Sequence, residues 1–526
     1  MKKRICCLVA TVCLTLVCVS LSTAQTTTIP MQGFEAISAD TMYQHVAFLA
    51  SDAMRGRNTP SEELDQCAEY IANYFETCGL QTVSTANGYY QNFPLLKTRL
   101  EGPENQSFIV TINGESFPQQ IKNDFVPVYL TANRQVTAPV VFVGYSITAP
   151  ELGYDDYQYM DVRDKIVLAF SHEPQENDSS SVFDGVKKTD HSKLVNKVLN
   201  AIDHGAVGFI YVTNPTRRFR RPPNVWPSLM KNVPEDAIPF TLGEKEENKI
   251  VVAQIGKKLA ETLFSVSDRT MQQIHQQIDE TLVPQSFELR GVTVTMNTQL
   301  EADEYQTQNV VGYLEGADPK LKQELIVIGG HYDHVGAADD TTIYNGADDN
   351  ASGTAGVMAV ARAFTACEQR PRRSILFMTF AGEEKGLFGS RYYVGTDPLF
   401  PLEQTVAMIN LDMIGRNDTS AVSVYGWSRS PNLKQALLQA NESVGISYKF
   451  ADETRMSGGS DHMSFARKQI PYLFFITGMH EDYHKPTDTV EKIIPEKMAQ
   501  IARLVFGIVW QIANSDERPQ FVEPAH

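Results

Sequence analysis

The stretch Leu325–Gly336, LIVIGGHYDHVG, decides the fold. Four consecutive apolar residues halted by a glycine pair read as a strand over 325–329 that is covered on both faces, the pattern of a parallel sheet packed between helices. His331 and Asp333 follow two residues apart, so they emerge on the same side just past the strand's carboxyl end. Downstream, YNGADDNASG at Tyr344–Gly353 sets Asp348 and Asp349 between Gly346 and Gly353, immediately before a helical pattern from Gly353 to Ala366. The alternation continues with strands at Ser374–Ala381, Gln404–Leu411 and Pro471–Thr477 and helices at Asn432–Val444 and Pro495–Ile512. This predicts an α/β domain, a mixed, largely parallel sheet sandwiched by helices. In such sheets ligands bind beyond the carboxyl ends of the strands.

The chemistry-bearing residues fall at those ends. The strand to Ala381 runs into AGEEKG, which presents Glu383 and Glu384 side by side, one able to face a metal and the other a substrate. The strand to Leu411 ends at Asp412, and the loop after Thr477 carries His484 in EDYHKPTDT. Two imidazoles and three carboxylates suit zinc, with cobalt or manganese as substitutes, and are too many for one tetrahedral ion. With Asp348 shared, they divide into His331, Asp348 and Asp412 around one Zn2+ and His484, Asp348 and Glu384 around a second, each open to water. Asp333 is placed to orient His331 by accepting its second N–H.

These motifs, H-x-D, G-A-D-D-x-A-S-G, E-E, N-L-D-M and a late histidine, resemble in order those of the aminopeptidase Y-like family of zinc exopeptidases. The resemblance is strong over Gln308–Ile512 and weak over Thr41–Leu100. It implies the zinc exopeptidase fold, a peptide substrate, Glu383 as general base, Glu384 as ligand, Asp348 as bridge and a cis peptide between Asp348 and Asp349. GGSDHMSF at Gly458–Phe465 resembles the family's substrate-pocket loop, with Asp461 either a substrate contact or a turn former. Ser457 stands near where relatives often place a carbonyl-polarising tyrosine, and Tyr483 is a substitute for that role. His334 and His462, close to the ligands, are expected to make hydrogen bonds rather than ligate.

Two other reaction polarities use the same site. A carboxypeptidase or dipeptidase needs a cation for the substrate carboxylate, for which Arg416 and Arg455 are candidates. A glutaminyl cyclase is disfavoured because that chemistry uses one zinc and this chain keeps both histidine ligands. A non-catalytic, receptor-like relative is expected to have lost ligands, whereas here the full set and the base are present.

Upstream, Asp40–Leu80 reads as two amphipathic helices broken by Ser51–Pro60, a turn-rich loop carrying Asp52, Arg55, Gly56 and Arg57. The stretch 123–285 changes to short β-rich runs, Ala138–Phe142 and Lys165–Phe170, then a helix Ser192–His204 and a strand Val207–Val212. YDDYQYMDVRDKIVLAF and KLVNKVLNAIDHGAVGFIYV resemble the protease-associated domain, which implies an insertion that shapes substrate access. The chain then divides into 31–122, 123–285, 286–515 and a tail 516–526. TRRFRRPPNVWP at Thr216–Pro227 is a basic, proline-rich loop, either a lid or partner surface or, the reading preferred, a solvated loop whose arginines pair with the acidic remainder of the protein.

Lys2, Lys3 and Arg4 precede an apolar run Ile5–Leu21 that closes on Ser22, Thr23 and Ala24, the pattern of a signal peptide over 1–24 with Gln25 as the new N-terminus. Export to a bacterial periplasm or the medium, with no lasting membrane anchor, is the expectation. Four of the 7 cysteines lie in that segment, so Cys67, Cys78 and Cys367 form no disulfide framework and are expected to be buried apolar residues. The net charge of −17 argues against a nucleic-acid partner.

Overall fold

The computed structural model describes residues 28–522 apart from 101, 122, 129, 184, 186–187, 216–239, 244–248, 418–420 and 452–458. The segment 1–24, the loop 216–227, Arg455, Ser457 and residues 523–526 of the tail therefore lie outside the described residues. Among the described residues no helix is long and apolar enough to cross a membrane.

Two sheets organise the chain. The first has 9 strands, in spatial order Phe240–Leu242, Tyr90–Leu100, Leu300–Leu314, Ser374–Phe380, Leu325–His331, Thr405–Leu411, Tyr472–Ile476, Ala421–Tyr425 and Ser447–Phe450. Its centre is parallel: the Leu325 strand pairs in parallel with both the Ser374 and Thr405 strands, and the latter with the Tyr472 strand. The outer strands add antiparallel pairs, so the sheet is mixed as expected, with parallel order concentrated where the site lies.

The central strand is apolar throughout because both its faces are covered. Ile326 and Ile328 pack into a cluster with Val357, Phe364 and Val505, from the helices Gly353–Ala366 and Pro495–Asn514. Leu325 and Val327 face the opposite cluster with Tyr393 and Phe465, from the helices Phe388–Gly395 and His462–Ala466. Each such side chain taken from water contributes roughly 1.5–3 kcal/mol, and the doubled coverage holds the strand ends in register. The N-terminal helices Ala39–Leu49 and Glu62–Thr77 join the first cluster through Val46, Leu64, Ile71 and Phe75. They start where the sequence supplies caps: Ser38 accepts from Thr41 N–H at 3.3 Å and Ser61 from Leu64 N–H at 3.0 Å.

The second sheet has 8 strands, in order Glu115–Pro118, Ser107–Ile112, Phe287–Asn297, Gln135–Phe142, Ile166–Phe170, Gly208–Val212, Val251–Ile255 and Phe125–Pro127. The boundaries expected at 123 and 285 fall inside this unit, because Ser107–Ile112, next to its Glu115–Pro118 edge, pairs antiparallel with Phe287–Asn297. Composition misplaces them because an antiparallel β-ribbon entering and leaving the unit is no different in pattern from strands of the first sheet. Phe240–Leu242 crosses back to pair with Tyr90–Leu100 in the first sheet. All three described cysteines are free, but Cys367 is only half-buried, with its thiol donating to Ala363 O at 3.2 Å.

Candidate metal centre

The carboxyl ends of the parallel strands gather one group of side chains. His331 closes its strand, buried, with Nε2 3.3 Å from Asp349 Oδ1, 3.4 Å from Asp412 Oδ1 and 4.0 Å from Glu383 Oε2. His484 Nε2 lies 3.1 Å from Asp349 Oδ2 and 3.0 Å from Glu384 Oε2. Asp349 thus places one carboxylate oxygen near each imidazole. His334 Nδ1 is 2.8 Å from Glu384 Oε1, and one donor atom each from His334, Asp349, Glu384 and His484 lies within 4.8 Å of the others.

The bridging position therefore belongs to Asp349, not Asp348. Asp348 turns the other way: its Oδ1 accepts from Gly415 N–H at 2.7 Å and its Oδ2 lies 3.2 Å from His480 Nε2. The non-proline cis peptide likewise falls one residue later than expected, between Asp349 and Asn350. The chain enters this turn through Gly346 at φ +59°, where an added Cβ would lie 2.5 Å from the His334 ring, so only glycine lets the turn close against that imidazole. Asp488 then accepts from the N–H groups of Asp348 and Asp349.

Neighbouring side chains set the geometry of the rest. Asn350 Oδ1 accepts from Gly353 N–H and Met413 N–H, and its amide donates to Leu411 O at 3.0 Å, which ties the loop bearing Asp412 to the turn bearing Asp349. Asp333 lies 3.7 Å from His331 Nδ1 through Oδ1, accepts from Glu383 N–H at 3.1 Å, and takes a hydrogen bond from the Thr59 hydroxyl at 2.9 Å. Arg57, wholly buried, donates to Tyr332 O at 2.7 Å, Leu49 O at 3.1 Å, Asn345 O at 2.5 Å and Gly346 O at 2.6 Å. Sequence reading left Arg57, Thr59, Asn350, Asp488 and His480 without a role; arginine in a turn-rich loop carries no local sign that it will be buried.

Charge crowding shows in the titration of these groups. Burial pushes the Glu383 carboxyl well above the usual carboxylate range, with Glu384, Asp412 and Asp461 adding to the rise and His331 opposing it. For His484 burial works against the charge, but the close carboxylates of Asp349 and Glu384 prevail and carry it up to about 10. The Tyr483 ring stacks on His484 at 3.8 Å, and burial together with Asp349, Glu384, Glu383 and Asp412 raises its hydroxyl above the ordinary phenol value.

Three sequence expectations change here. Arg416 is tied to Asp482 at 2.7 Å and lies 3.5 Å from Asp488, so it braces the loop carrying His484 instead of facing a substrate. Asp461 is fully buried with both carboxylate oxygens lacking a hydrogen bond, and burial lifts it to about 7; of its two expected roles it takes that of a turn former, at the N-cap of the helix His462–Ala466, where its carbonyl accepts from Ser464 N–H at 3.1 Å. His462 makes no side-chain hydrogen bond: its ring stacks on Phe474 at 4.3 Å and Tyr472 at 5.1 Å, with both nitrogens buried and unpartnered.

Burial lowers His462 to about 3, below its ordinary 6.5. A depressed folded value means the unfolded chain binds the proton first, so stability present above pH 6.5 is lost as pH falls toward 3, at up to ~1.4 kcal/mol per pH unit. His462→Phe keeps the stack and removes this proton. Urea unfolding at pH 6.5, 5.5 and 4.5 is expected to show the variant losing less stability per pH unit than the parent; parallel slopes would remove His462 as the cause.

The donor set fits a metal pair. Asp349 Oδ2, Asp412 Oδ1 and His484 Nε2 are buried without a hydrogen-bond partner, a costly arrangement for polar atoms unless a cation takes them up. Imidazole nitrogens and carboxylate oxygens are zinc donors, and three per ion leave each open for chemistry. Such a set at the strand ends of an α/β sheet can hold a metal ion where ligands of this sheet type bind. Residues 309–509 match the model described as Peptidase family M28. A "Probable leucine aminopeptidase" of Trichophyton verrucosum (strain HKI 0517) is 27% identical over 238 residues, 40% of this chain and 64% of that protein. "Aminopeptidase YwaD" of Bacillus subtilis (strain 168) is 28% identical over 235 residues, 43% of this chain and 49% of that protein. The chain thus spans about half to two thirds of the length of the curated relatives it matches. Among solved structures, an aminopeptidase from Aneurinibacillus sp. strain AM-1 aligns over 94% of this chain and 98% of its own at 22% identity, with a TM-score of 0.46.

Proposed function

We propose that the chain is an exported two-zinc exopeptidase, an aminopeptidase that releases N-terminal residues from peptides. The observation that carries the reading is Asp349, with one oxygen 3.3 Å from His331 Nε2 and the other 3.1 Å from His484 Nε2. One carboxylate shared between two imidazoles supports two adjoining ion positions in this reading: His331, Asp349 and Asp412 for one, His484, Asp349 and Glu384 for the other. Zinc bound there supplies Lewis acidity, drawing charge from a scissile carbonyl and bringing the pKa of a water from 15.7 to roughly 7.

The chain's own groups do the remainder. Glu383 stands at the edge of the cluster, its side chain 13% exposed, where it receives a proton from the attacking water and returns it to the leaving amine. Asp333 orients His331 through its backbone carbonyl, 3.2 Å from Nδ1, not through its carboxylate at 3.7 Å, and that carboxylate holds, through the Glu383 N–H, the turn that carries the base. The Tyr483 hydroxyl, stacked over His484 and kept protonated, donates to the carbonyl oxygen as negative charge develops. Arg416, one of the two arginines that carboxypeptidase polarity would call on, is committed to Asp482 and Asp488, which supports amino polarity; Arg455 lies outside the described residues. Export rests on the segment 1–24, and the second sheet unit is read as a protease-associated domain over the substrate's approach.

The test is the zinc-loaded protein against peptides with free and blocked ends. Cleavage requiring a free amino terminus, with about two zincs bound, supports the reading; cleavage requiring a free carboxylate overturns the polarity, and failure to bind zinc overturns the class. Glu383→Gln is expected to keep both ions and lose at least ~100-fold in kcat on aminoacyl anilides; near-parental turnover would remove the proton-carrying role.

A further inference from the structure

The two proposed ion positions differ in how their imidazoles are carried. His331 closes the strand Leu325–His331 with its side chain 1% exposed, whereas His484 stands on a loop well past the end of the strand Tyr472–Ile476, with its side chain 35% exposed. Sheet register fixes His331; His484 has to be fixed by side chains. Lys485 N–H donates to Asp482 O at 2.9 Å and closes a turn with Tyr483 and His484 at its two central positions. His484 takes φ +53° there, the left-handed region that a β-carbon disfavours, so the surroundings must hold the turn in shape.

Asp482, the first residue of that turn, is where the surroundings take hold. Its side chain is 7% exposed, and three groups converge on it. Oδ2 accepts from Arg416 Nη2 at 2.7 Å, while Oδ1 accepts from Lys492 Nζ at 2.7 Å and from the Thr487 hydroxyl at 2.6 Å. They come from separate places. Arg416 lies on the loop after the strand Thr405–Leu411, which is pinned where Gly415 N–H donates to Asp348 Oδ1. Lys492 ends the short helix Val490–Lys492 ahead of the C-terminal helix, and Thr487 belongs to the His484 loop itself. Charge-assisted hydrogen bonds to two cations on different elements fix the turn more firmly than neutral ones.

We propose that Asp482 is a positioning residue for one ion position alone: it holds His484 toward Asp349 and Glu384, and Tyr483 beside it, while the position at His331 and Asp412 does not depend on it. The inference deepens the two-zinc reading and rests on it. Groups that orient a metal ligand from behind cost roughly 10- to 100-fold in affinity when altered. Arg416 is unsuited to the test, since it also lies 3.5 Å from Asp488, which accepts the Asp349 N–H, and its loss reaches the carboxylate shared by both positions.

Zn2+ is the probe, titrated calorimetrically into the metal-free full chain. Asp482→Asn keeps the size of the side chain and an acceptor for Thr487 and removes the charge. It is expected to bind one zinc at parental affinity and a second roughly tenfold or more weakly. Lys492→Gln alters a side chain that is 40% exposed, so the fold stands whatever Asp482→Asn does to it, and is expected to weaken the same ion about threefold. Two zincs at parental affinity in both variants overturn the proposal. So do two ions weakened to the same degree, which is what general loosening of the site gives. A parent that binds fewer than two zincs overturns the two-ion reading and this proposal together, whereas a two-zinc parent with unaffected variants overturns this proposal alone.

Discussion

Asp349→Asn is expected to strip both zincs from the protein and abolish hydrolysis, while the matched Asp348→Asn keeps about two ions and most of the activity. The two substitutions remove the same charge from adjacent residues of one turn, so net charge and local composition cancel in the comparison. They differ in direction alone. Asp349 has an oxygen toward each of His331 and His484, and its loss leaves each ion position with two ligands. Asp348 faces Gly415 N–H and His480, where an asparagine still accepts the backbone hydrogen bond. Groups that support ligands from behind typically cost 10- to 100-fold in affinity when removed, so Asp348→Asn falls near or below the lower end. Metal content by atomic emission after exhaustive dialysis, with kcat on an aminoacyl anilide, reads both. Loss of zinc in Asp348→Asn with retention in Asp349→Asn would reverse the assignment.

The same pair of residues shows what a sequence discloses and where it stops. The unbroken apolar run at 325–328 and the strand-like segments around 374–380 and 405–411 announce a buried parallel centre, because strands without polar alternation need cover on both faces. The ends of those strands then bring His331, Glu383, Glu384 and Asp412 to one edge without further information, and His484 joins them from the loop past Ile476. A tight turn has no such periodicity. Which of two adjacent aspartates points to the metals depends on the dihedral angles after Gly346, and two neighbouring carboxylates are chemically alike, so nothing in the residue types separates them. Arg416 and His462 fail for another reason. Each role depends on partners far along the chain, Asp482 and Asp488 for one and Phe474 for the other, which only the folded arrangement brings together.

Arg57→Met is expected to destabilise the protein by about 3 kcal/mol or more, lowering Tm by roughly 6 °C, and to reduce zinc retention although Arg57 touches no metal position. Its guanidinium has no exposed surface and, among the described residues, forms no ion pair at hydrogen-bond distance; instead it fills the space among Tyr332 O, Leu49 O, Asn345 O and Gly346 O, with Asp349 O at 3.4 Å. Those carbonyls belong to three separate stretches: the end of the first described long helix, the segment between His331 and Asp333, and the turn before Asp349. Five donors in one plane can hold all three at fixed spacing, which a single ammonium cannot. Burial lowers the guanidinium's pKa while Cys67, Asp349, Asp333 and Asp488 raise it, so its charge also offsets part of the carboxylate crowding beneath the metals. Methionine matches much of the volume and takes the donors from Tyr332 O, Leu49 O and Asn345 O, each a buried acceptor worth ~1–3 kcal/mol when left unpaired, whereas Gly346 O keeps Ala351 N–H at 3.3 Å. Arg57→Lys separates charge from geometry: if charge alone matters it restores zinc retention, and if the clamp matters it behaves like methionine. A Tm within a degree of the parent for Arg57→Met, with unchanged zinc retention, would show that the strand-end loops hold their spacing without it. The clamp also gives the N-terminal helices a task in the site: Arg57 and Thr59 lie outside residues 309–509, yet one braces the turn of Asp349 and the other the carboxylate behind His331.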